Sequence, residues 1–344
     1  MKNKSAIILP LKENFTDKDF GAVSIWVKLY LEYSKFRNNL IFCKKIKKAK
    51  YLSKYICPIE VNSNFFTNIN YIKKINHQLI KKKIKTIEIH NRPEYVFYLK
   101  KNNPNLKINL IFHNNPNQIR KSTGIKNKNF LLENCNKIIF VSNWIKSEFF
   151  KNLKHKHKNN IEVIYNFINP IKTFPKKQKT IIFAGKLNSS KGYNIFGQAI
   201  IKILDKYPEW NSIVFGNESR EKYNFNHKRL KIVNWIDHKK LLKMYEKSSI
   251  SIVNPTWDEP FGRTAMESAS RGCAVITSNS GGLSETFKNN CVLKINNSKY
   301  LFNKISNLIK NKNLLKKIQK QNFNNVINTP AKSVIKLDNL RYEK

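Results

Sequence analysis

The sequence predicts an α/β protein made of two successive parallel-sheet units, and three observations predict it. Short apolar strands alternate with amphipathic helices of about 10–15 residues, the spacing of βαβ units. The alternation lapses once, over residues 166–178, where Pro170, Pro175 and a basic run show no periodicity, and then restarts. The length of 344 residues is that of two domains rather than one.

In the first half, residues 6–9 form a brief apolar strand ahead of Pro10. Residues 25–36 then repeat apolar side chains at helical spacing. Further strands are expected over 86–89, 108–112, 137–141 and 161–164, with helices over 69–82, 93–101 and 143–152. After the linker come a strand over 180–184, a helix over 193–207 and strands over 212–215 and 230–233. A helix over 239–247, a strand over 250–253, a helix over 263–271, a strand over 274–277 and a helix from about Leu283 follow. Residues 301–321 read as one polar helix, and Thr329-Pro330 breaks the chain before a last segment. The expected division is a Rossmann-like domain over 1–165, a linker over 166–178, a second Rossmann-like domain over 179–312 and tail helices over 313–344.

Composition narrows the class. Hydrophobic residues at 41% and aromatics at 12% exclude a disordered chain. Cys43, Cys57, Cys135, Cys273 and Cys291 are scattered and never spaced C-x-x-C, which argues against a disulfide scaffold or a zinc ribbon and for a reducing compartment. No apolar run reaches the roughly 18 residues that span a bilayer, and residues 6–9 are too short for the ~7–15-residue core of a signal peptide. A cytoplasmic protein is expected. The net charge is +43, from 65 Lys and Arg against 22 Asp and Glu. Only 8 of the 65 are Arg, the side chain suited to bidentate reading of bases and phosphates. Lys, Asn and Ile rise together, as an AT-rich genome makes them, so nucleic acid is not the expected partner. Peripheral contact with an acidic inner-membrane surface stays open.

Against that background, the stretch 248–287 is conspicuous because it holds no lysine, where an even spread of the 57 lysines would place about six or seven. It contains Asn254-Pro255-Thr256-Trp257-Asp258-Glu259-Pro260-Phe261-Gly262-Arg263-Thr264-Ala265-Met266-Glu267, which reads as a strand end, a proline-punctuated loop and a helix start. First-turn amides of a helix have no internal partners, so those of Phe261 to Thr264 suit an anion. Glu259 before the turn and Glu267 inside the helix suit hydroxyl-rich ligands, since carboxylates accept hydrogen bonds from sugar OH groups. Either glutamate alone reads as a solvated surface residue; the pair in a lysine-free window reads as a site. A second loop, Gly185-Lys186-Leu187-Asn188-Ser189-Ser190-Lys191-Gly192, follows a strand and opens a helix, where α/β proteins hold phosphates. It has neither the G-x-G-x-x-G nor the Walker A spacing. In the first half, Gly21 marks a close-approach loop and Asp17-Lys18-Asp19 reads as solvated. His113 stands at a strand's C-terminal end, with a structural and a ligand-binding role equally open. No nucleophilic triad or metal cluster stands out.

These residues resemble a known family. Glu259 to Glu267, reading E-P-F-G-R-T-A-M-E, resembles the E-x7-E signature of the retaining family 4 (group 1) glycosyltransferases. Residues 181–187 with Lys191-Gly192 resemble that family's strand–G-R-L–x–K-G phosphate loop, and Val233-Asn234-Trp235-Ile236 and Gly281-Gly282 fall in the family's order. The resemblance implies the GT-B fold, two Rossmann-like domains facing each other across a cleft, with acceptor on the N-terminal side, donor on the C-terminal side, and a tail helix within 313–344 crossing back to the N-terminal domain. It implies transfer from a UDP-, GDP- or ADP-sugar with retention at the anomeric carbon, no obligatory metal, and a glycan or glycolipid acceptor such as a lipopolysaccharide or surface-polysaccharide precursor. Carried over by residue, Lys186 and Lys191 clamp the diphosphate, Glu259 holds sugar hydroxyls, and Phe261, Gly262, Arg263 and Thr264 contact sugar and phosphate. Glu267 holds the ribose, Ile236 lies along the base, Gly21 approaches the donor, and His113 sits near the transferred sugar. Lys191, Glu259 and His113 are thus the expected catalytic set. Lys186 stands where the family has arginine, Asn234 and Phe167 where it has glycine. The alternative is a cationic nucleic-acid or membrane-binding protein on a degenerate transferase fold.

Overall fold

In the computed structural model, which describes residues 5–17, 21–62, 67–153, 159–286, 291–325 and 330–342, every strand pair is parallel. The chain divides into two units, Met1–Phe167 together with Pro330–Lys344, and Ile168–Thr329. The first unit winds through β1 (Ser5–Ile8), α1 (Ala22–Tyr33), β2 (Leu40–Lys44), β3 (Ile56–Ile59), α2 (Thr67–Lys81), β4 (Thr86–His90) and α3 (Pro93–Asn102). It continues through β5 (Lys107–Phe112), α4 (Ile125–Asn134), β6 (Lys137–Phe140), α5 (Asn143–Phe150) and β7 (Ile161–Val163). Its seven strands lie in the order β3-β2-β1-β4-β5-β6-β7. Both faces are covered, so strands such as β5 and β6 are buried almost throughout and read as apolar runs rather than alternations.

The second unit comprises β8 (Gln178–Ala184), α6 (Tyr193–Lys206), β9 (Asn211–Phe215), β10 (Leu230–Val233), α7 (His238–Lys247), β11 (Ser248–Val253), α8 (Arg263–Ala269), β12 (Ala274–Thr277), α9 (Ser298–Lys310) and α10 (Lys312–Asn324). Its five strands are ordered β10-β9-β8-β11-β12. One face buries Phe183, Phe196, Ile200, Ile252, Leu301 and Ile305; the other buries Ile182, Tyr245, Ala265, Val275 and Leu283. Each fully buried side chain of this size contributes about 1.5–3 kcal/mol.

Strand order fixes where ligands can bind. In a doubly wound sheet the crevice opens at the carboxyl ends of the strands where the order reverses. That point lies between β1 and β4 in the first sheet and between β8 and β11 in the second.

Several sequence expectations change here. β2, β3 and α4 were not expected; β3 carries Pro58 and is an edge strand, where a missing N–H is tolerated. The helix expected over 301–321 is two helices, because Asn311 ends one and its side chain accepts from the Leu314 N–H to start the next. The helix expected from Leu283 is a short 3-10 turn over Gly281–Glu285; residues 287–290 lie outside the described residues. α8 stops at Ala269 rather than Arg271, where Gly272 turns left-handed at φ 77°. Residues 168–177 fold with the second unit, Lys177 Nζ donating to the carbonyls of Tyr245 and Arg271 at 2.9 and 2.5 Å.

The last helix, α11 (Pro330–Tyr342), packs in the first unit. Asp338 accepts from the Tyr30 and Ser34 hydroxyls and the Lys35 N–H, and Lys336 pairs with Glu162 at 2.8 Å. Among the described residues, no helix is long and apolar enough to cross a membrane.

Candidate functional site

The two loops singled out in the sequence leave adjacent strands, β8 and β11, at the reversal point of the second sheet. The first is held by Asn188 within the loop and by Glu221 from beyond β9. Asn188 Oδ1 accepts from the Lys191 N–H at 3.1 Å, and the Ser189 N–H donates to Glu221 Oε2 at 2.7 Å. Gly192, at φ 76°, ends the loop; a Cβ there would meet the Asn254 carbonyl at 2.0 Å. Only glycine allows both that φ and that approach. The contact presses the loop after β8 onto the loop after β11, and the Thr256 hydroxyl donates to the Ser189 carbonyl at 3.0 Å.

The contact brings Lys191 to Glu259. Its Nζ lies 2.7 Å from Glu259 Oε2, which also accepts from Trp257 Nε1 at 3.1 Å, and the ammonium sits 4.7 Å from the Trp257 ring centroid. Gly185, Lys191, Glu259, Gly262 and Thr264 line one pocket at the strand ends. The chain therefore brings a cation and a carboxylate to a pocket that Phe183 and Ile252 also line, with the Trp257 indole against the cation.

Glu267 lies one helical turn beyond. It is buried, and its Oε1 accepts from Arg263 Nη2 at 2.9 Å, an i,i+4 pair, and lies 3.1 Å from His238 Nε2. Burial alone would raise this carboxyl; the Arg263 guanidinium and His238 outweigh it and hold the group down to about 2. Glu267 is thus a fixed anion with Oε2 outside both pairs. His238, held at the start of α7 behind the capping Asp237, was not foreseen, and no spacing in the sequence ties it to Glu267.

The other expected donor-side residues are less converged. Lys186 is exposed, and among the described residues no ion pair holds it. Ile236 is half-buried against the second apolar cluster, next to an exposed Trp235. Phe261 is buried, and α8 begins at Arg263 behind Gly262 at φ 100°, so the Phe261 amide precedes the first turn rather than belonging to it.

In the first unit, Gly21 caps α1, but the anion at that helix start is the protein's own. Glu13 Oε1 accepts from the Ser24 N–H at 2.9 Å, and a Cβ on Gly21 would meet the same oxygen at 2.5 Å. The close-approach role expected of Gly21 is thus filled by Glu13. Of Asp17-Lys18-Asp19, the last two lie outside the described residues. His113 closes β5 with its N–H on Asn91 Oδ1 at 2.7 Å, and it is not a lone histidine. Its Nε2 is 2.8 Å from His90 Nδ1, and His90 Nε2 is 2.8 Å from Glu88 Oε1. Glu88 is gripped by Arg341 of α11, whose Nε donates to Oε2 at 2.6 Å and Nη2 to Oε1. A carboxylate and a histidine at i and i+2 share one face of a strand, so the Glu88-Ile89-His90 run could have signalled this cluster.

Comparison with known proteins bears on the family and the fold. Residues 165–325 match the family model described as "Glycosyl transferases group 1". The chain is 25% identical over 252 residues to YtcC of Bacillus subtilis, covering 64% of this chain and 61% of that protein, less than two thirds of its length. Among solved structures, a glycosyltransferase from Rickettsia africae superposes with a TM-score of 0.75 at 20% identity, covering 100% of both chains. Anabaena HepE in complex with UDP-glucose superposes with a TM-score of 0.72 at 14% identity, covering 97% of this chain and 98% of that one. Residues 165–325 therefore belong to the group 1 glycosyltransferases, within a chain that has the GT-B fold.

Proposed function

We propose that this protein is a retaining glycosyltransferase that moves a sugar from a nucleotide-sugar donor to a glycan or glycolipid acceptor in lipopolysaccharide or surface-polysaccharide assembly. The observation that carries the transfer reading is the pairing of Lys191 with Glu259 across two loops of one sheet edge, one turn from a Glu267 kept ionised. That set answers the parts of a nucleotide-sugar. Lys191 turns from Glu259 to the diphosphate, and Glu259, so released, accepts from hydroxyls of the sugar. Glu267 Oε2 accepts from ribose hydroxyls, and Ile236 packs along the base.

The chemistry follows from charge. As the glycosidic bond breaks, negative charge grows on the leaving diphosphate, and a cation already in place lowers that barrier. Among the described residues that line the pocket, no carboxylate besides Glu259 is present to act as a nucleophile, so the acceptor attacks the face the diphosphate leaves, and the leaving phosphate oxygen takes its proton. No metal is assigned a part. Because HepE was solved in complex with UDP-glucose, UDP-sugars are the first donors to test. The basic surface would favour an acidic membrane face near the acceptor.

The test is the anomeric configuration of the product, read by NMR, with and without chelator. Retained configuration, turnover indifferent to EDTA and loss of turnover in Glu259→Gln are expected. An inverted product or a trapped covalent glycosyl–enzyme would overturn the mechanism.

A further inference from the structure

A third loop, the one after β9, grips the turn that carries Lys191. Ser189–Lys191 form a 3-10 turn that Asn188 caps. Glu221 Oε2 accepts from the Ser189 N–H at 2.7 Å, and Glu221 Oε1 accepts from the Ser189 hydroxyl at 3.1 Å. Glu218 Oε2 accepts from Asn188 Nδ2 at 3.1 Å. The loop after β11 holds the same turn by its carbonyls, the Thr256 N–H donating to Ser190 and the Thr256 hydroxyl to Ser189, each at 3.0 Å.

The two carboxylates reach Lys191 by a short path. Glu218 pairs with Arg220 at 2.7 Å, which holds its carboxyl low, so it is ionised and only accepts. The Asn188 amide must then turn its NH2 to Glu218. Its Oδ1 is left for the Lys191 N–H at 3.1 Å and the Ser190 hydroxyl at 2.9 Å. Glu221 is kept below the usual carboxylate range by the Ser189 N–H and by the Tyr223 hydroxyl, which donates at 2.8 Å. The loop that supplies both glutamates is itself pinned to α6. Tyr223 and Phe225 stack at 5.9 Å, and each meets Tyr193 edge-on, at 5.9 and 5.6 Å. A Cβ at Gly197 would meet the Phe225 ring at 2.0 Å, so the ring lies against the helix backbone. α6 starts at Tyr193, two residues past Lys191.

By charge alone, a carboxylate near an anion site weakens it. Two of them on this turn need another reason to be there, and their hydrogen bonds supply one. We propose that Glu218 and Glu221 are positioning residues for Lys191: they fix the turn that carries it and so set its ammonium against the diphosphate of the donor. The inference rests on the nucleotide-sugar reading and adds residues outside both loops of the candidate site.

The experiment measures the affinity of the full chain for UDP, GDP and ADP by calorimetry, in wild type, Glu218→Ala, Glu221→Ala and Glu221→Gln. Each variant loses a negative charge, so charge alone predicts tighter binding in all three. The positioning role predicts the reverse for the alanines, a fall of about fivefold or more for the nucleotide that binds, as expected for a hydrogen bond to a charged group. Glu221→Gln keeps an acceptor oxygen for the Ser189 N–H and should stay within about twofold of wild type. In Lys191→Met no ammonium is left to place, so adding Glu221→Ala should cost less than about twofold, whereas independent effects would multiply. Melting curves show which variants fold, and should Glu221→Ala unfold, Glu218→Ala carries the same prediction. Tighter or unchanged binding in a folded alanine variant, a loss in Glu221→Gln as large as in Glu221→Ala, or multiplying effects in the double variant would overturn the proposal while leaving the nucleotide-sugar reading in place. A wild type that binds none of the three nucleotides would overturn that reading, and the positioning role with it.

Discussion

Replacing Glu267 with glutamine keeps the shape of the side chain and removes its charge. The carboxyl is held at about 2 against an ordinary value of 4.5 by Arg263 at 2.9 Å and His238 at 3.1 Å. One pKa unit corresponds to about 1.4 kcal/mol, so the ionised pair contributes about 3 kcal/mol to the stability of the second unit near neutral pH. A depressed carboxyl stabilises the fold above its unfolded-state value, and that contribution is lost as pH falls through the folded value. The difference between wild type and Glu267→Gln should therefore be full above pH 5 and vanish towards pH 2. For a unit of this size it amounts to a drop in Tm of about 6–12 °C, followed by circular dichroism at several pH values. On the proposed function, the same substitution removes a charge-assisted acceptor for the ribose hydroxyls, worth about 1.5–3 kcal/mol, or roughly 10–150-fold in donor affinity by calorimetry. A variant as stable as wild type at pH 7, or a deficit that does not depend on pH, would refute the assignment of Glu267 as a buried, ion-paired anion.

Three further outcomes follow from the same geometry. Lys191→Met breaks a pair that is part-exposed on both sides, so it should cost less than about 1 kcal/mol of stability while weakening donor binding tenfold or more, a split that calorimetry and melting separate. Gly192→Ala forces a Cβ to 2.0 Å from the Asn254 carbonyl at a φ of 76° and should cost about 1–3 kcal/mol, with donor affinity falling further than Lys191→Met alone explains. Ending the chain before Pro330 removes Asp338 and Arg341 from the first unit, so the unfolding transition of that unit should move down and that of the second should stay, as domain-resolved hydrogen exchange would show.

The candidate site in the second unit was legible because it escapes the composition of the rest of the chain. Against a chain rich in lysine and asparagine, the lysine-free stretch 248–287 stands out, and the structure places its loop and the 185–192 loop at one strand-order reversal. β2 and β3 were not legible, since β2 is brief and Pro58 disguises an edge strand. The 301–321 helix was read through Asn311 because its periodicity survives the break that the capping amide makes. Partners from remote elements were invisible for a different reason. Glu267 meets His238, and Glu88 meets Arg341 253 residues away, and no local period records such pairs. What the sequence does record is the cost of a carboxylate in the apolar run of β4, which demands a partner without naming it.

The most direct measurement is binding and donor-only turnover across UDP-, GDP- and ADP-sugars, in wild type and Lys191→Met, with DNA as a competitor. The account predicts that one nucleotide class binds and slowly releases its sugar, that Lys191→Met weakens it at least tenfold, and that DNA does not displace it. No binding to any donor, beside tight salt-sensitive binding to DNA, would mean that the charge of +43 is the function and the transferase reading is wrong.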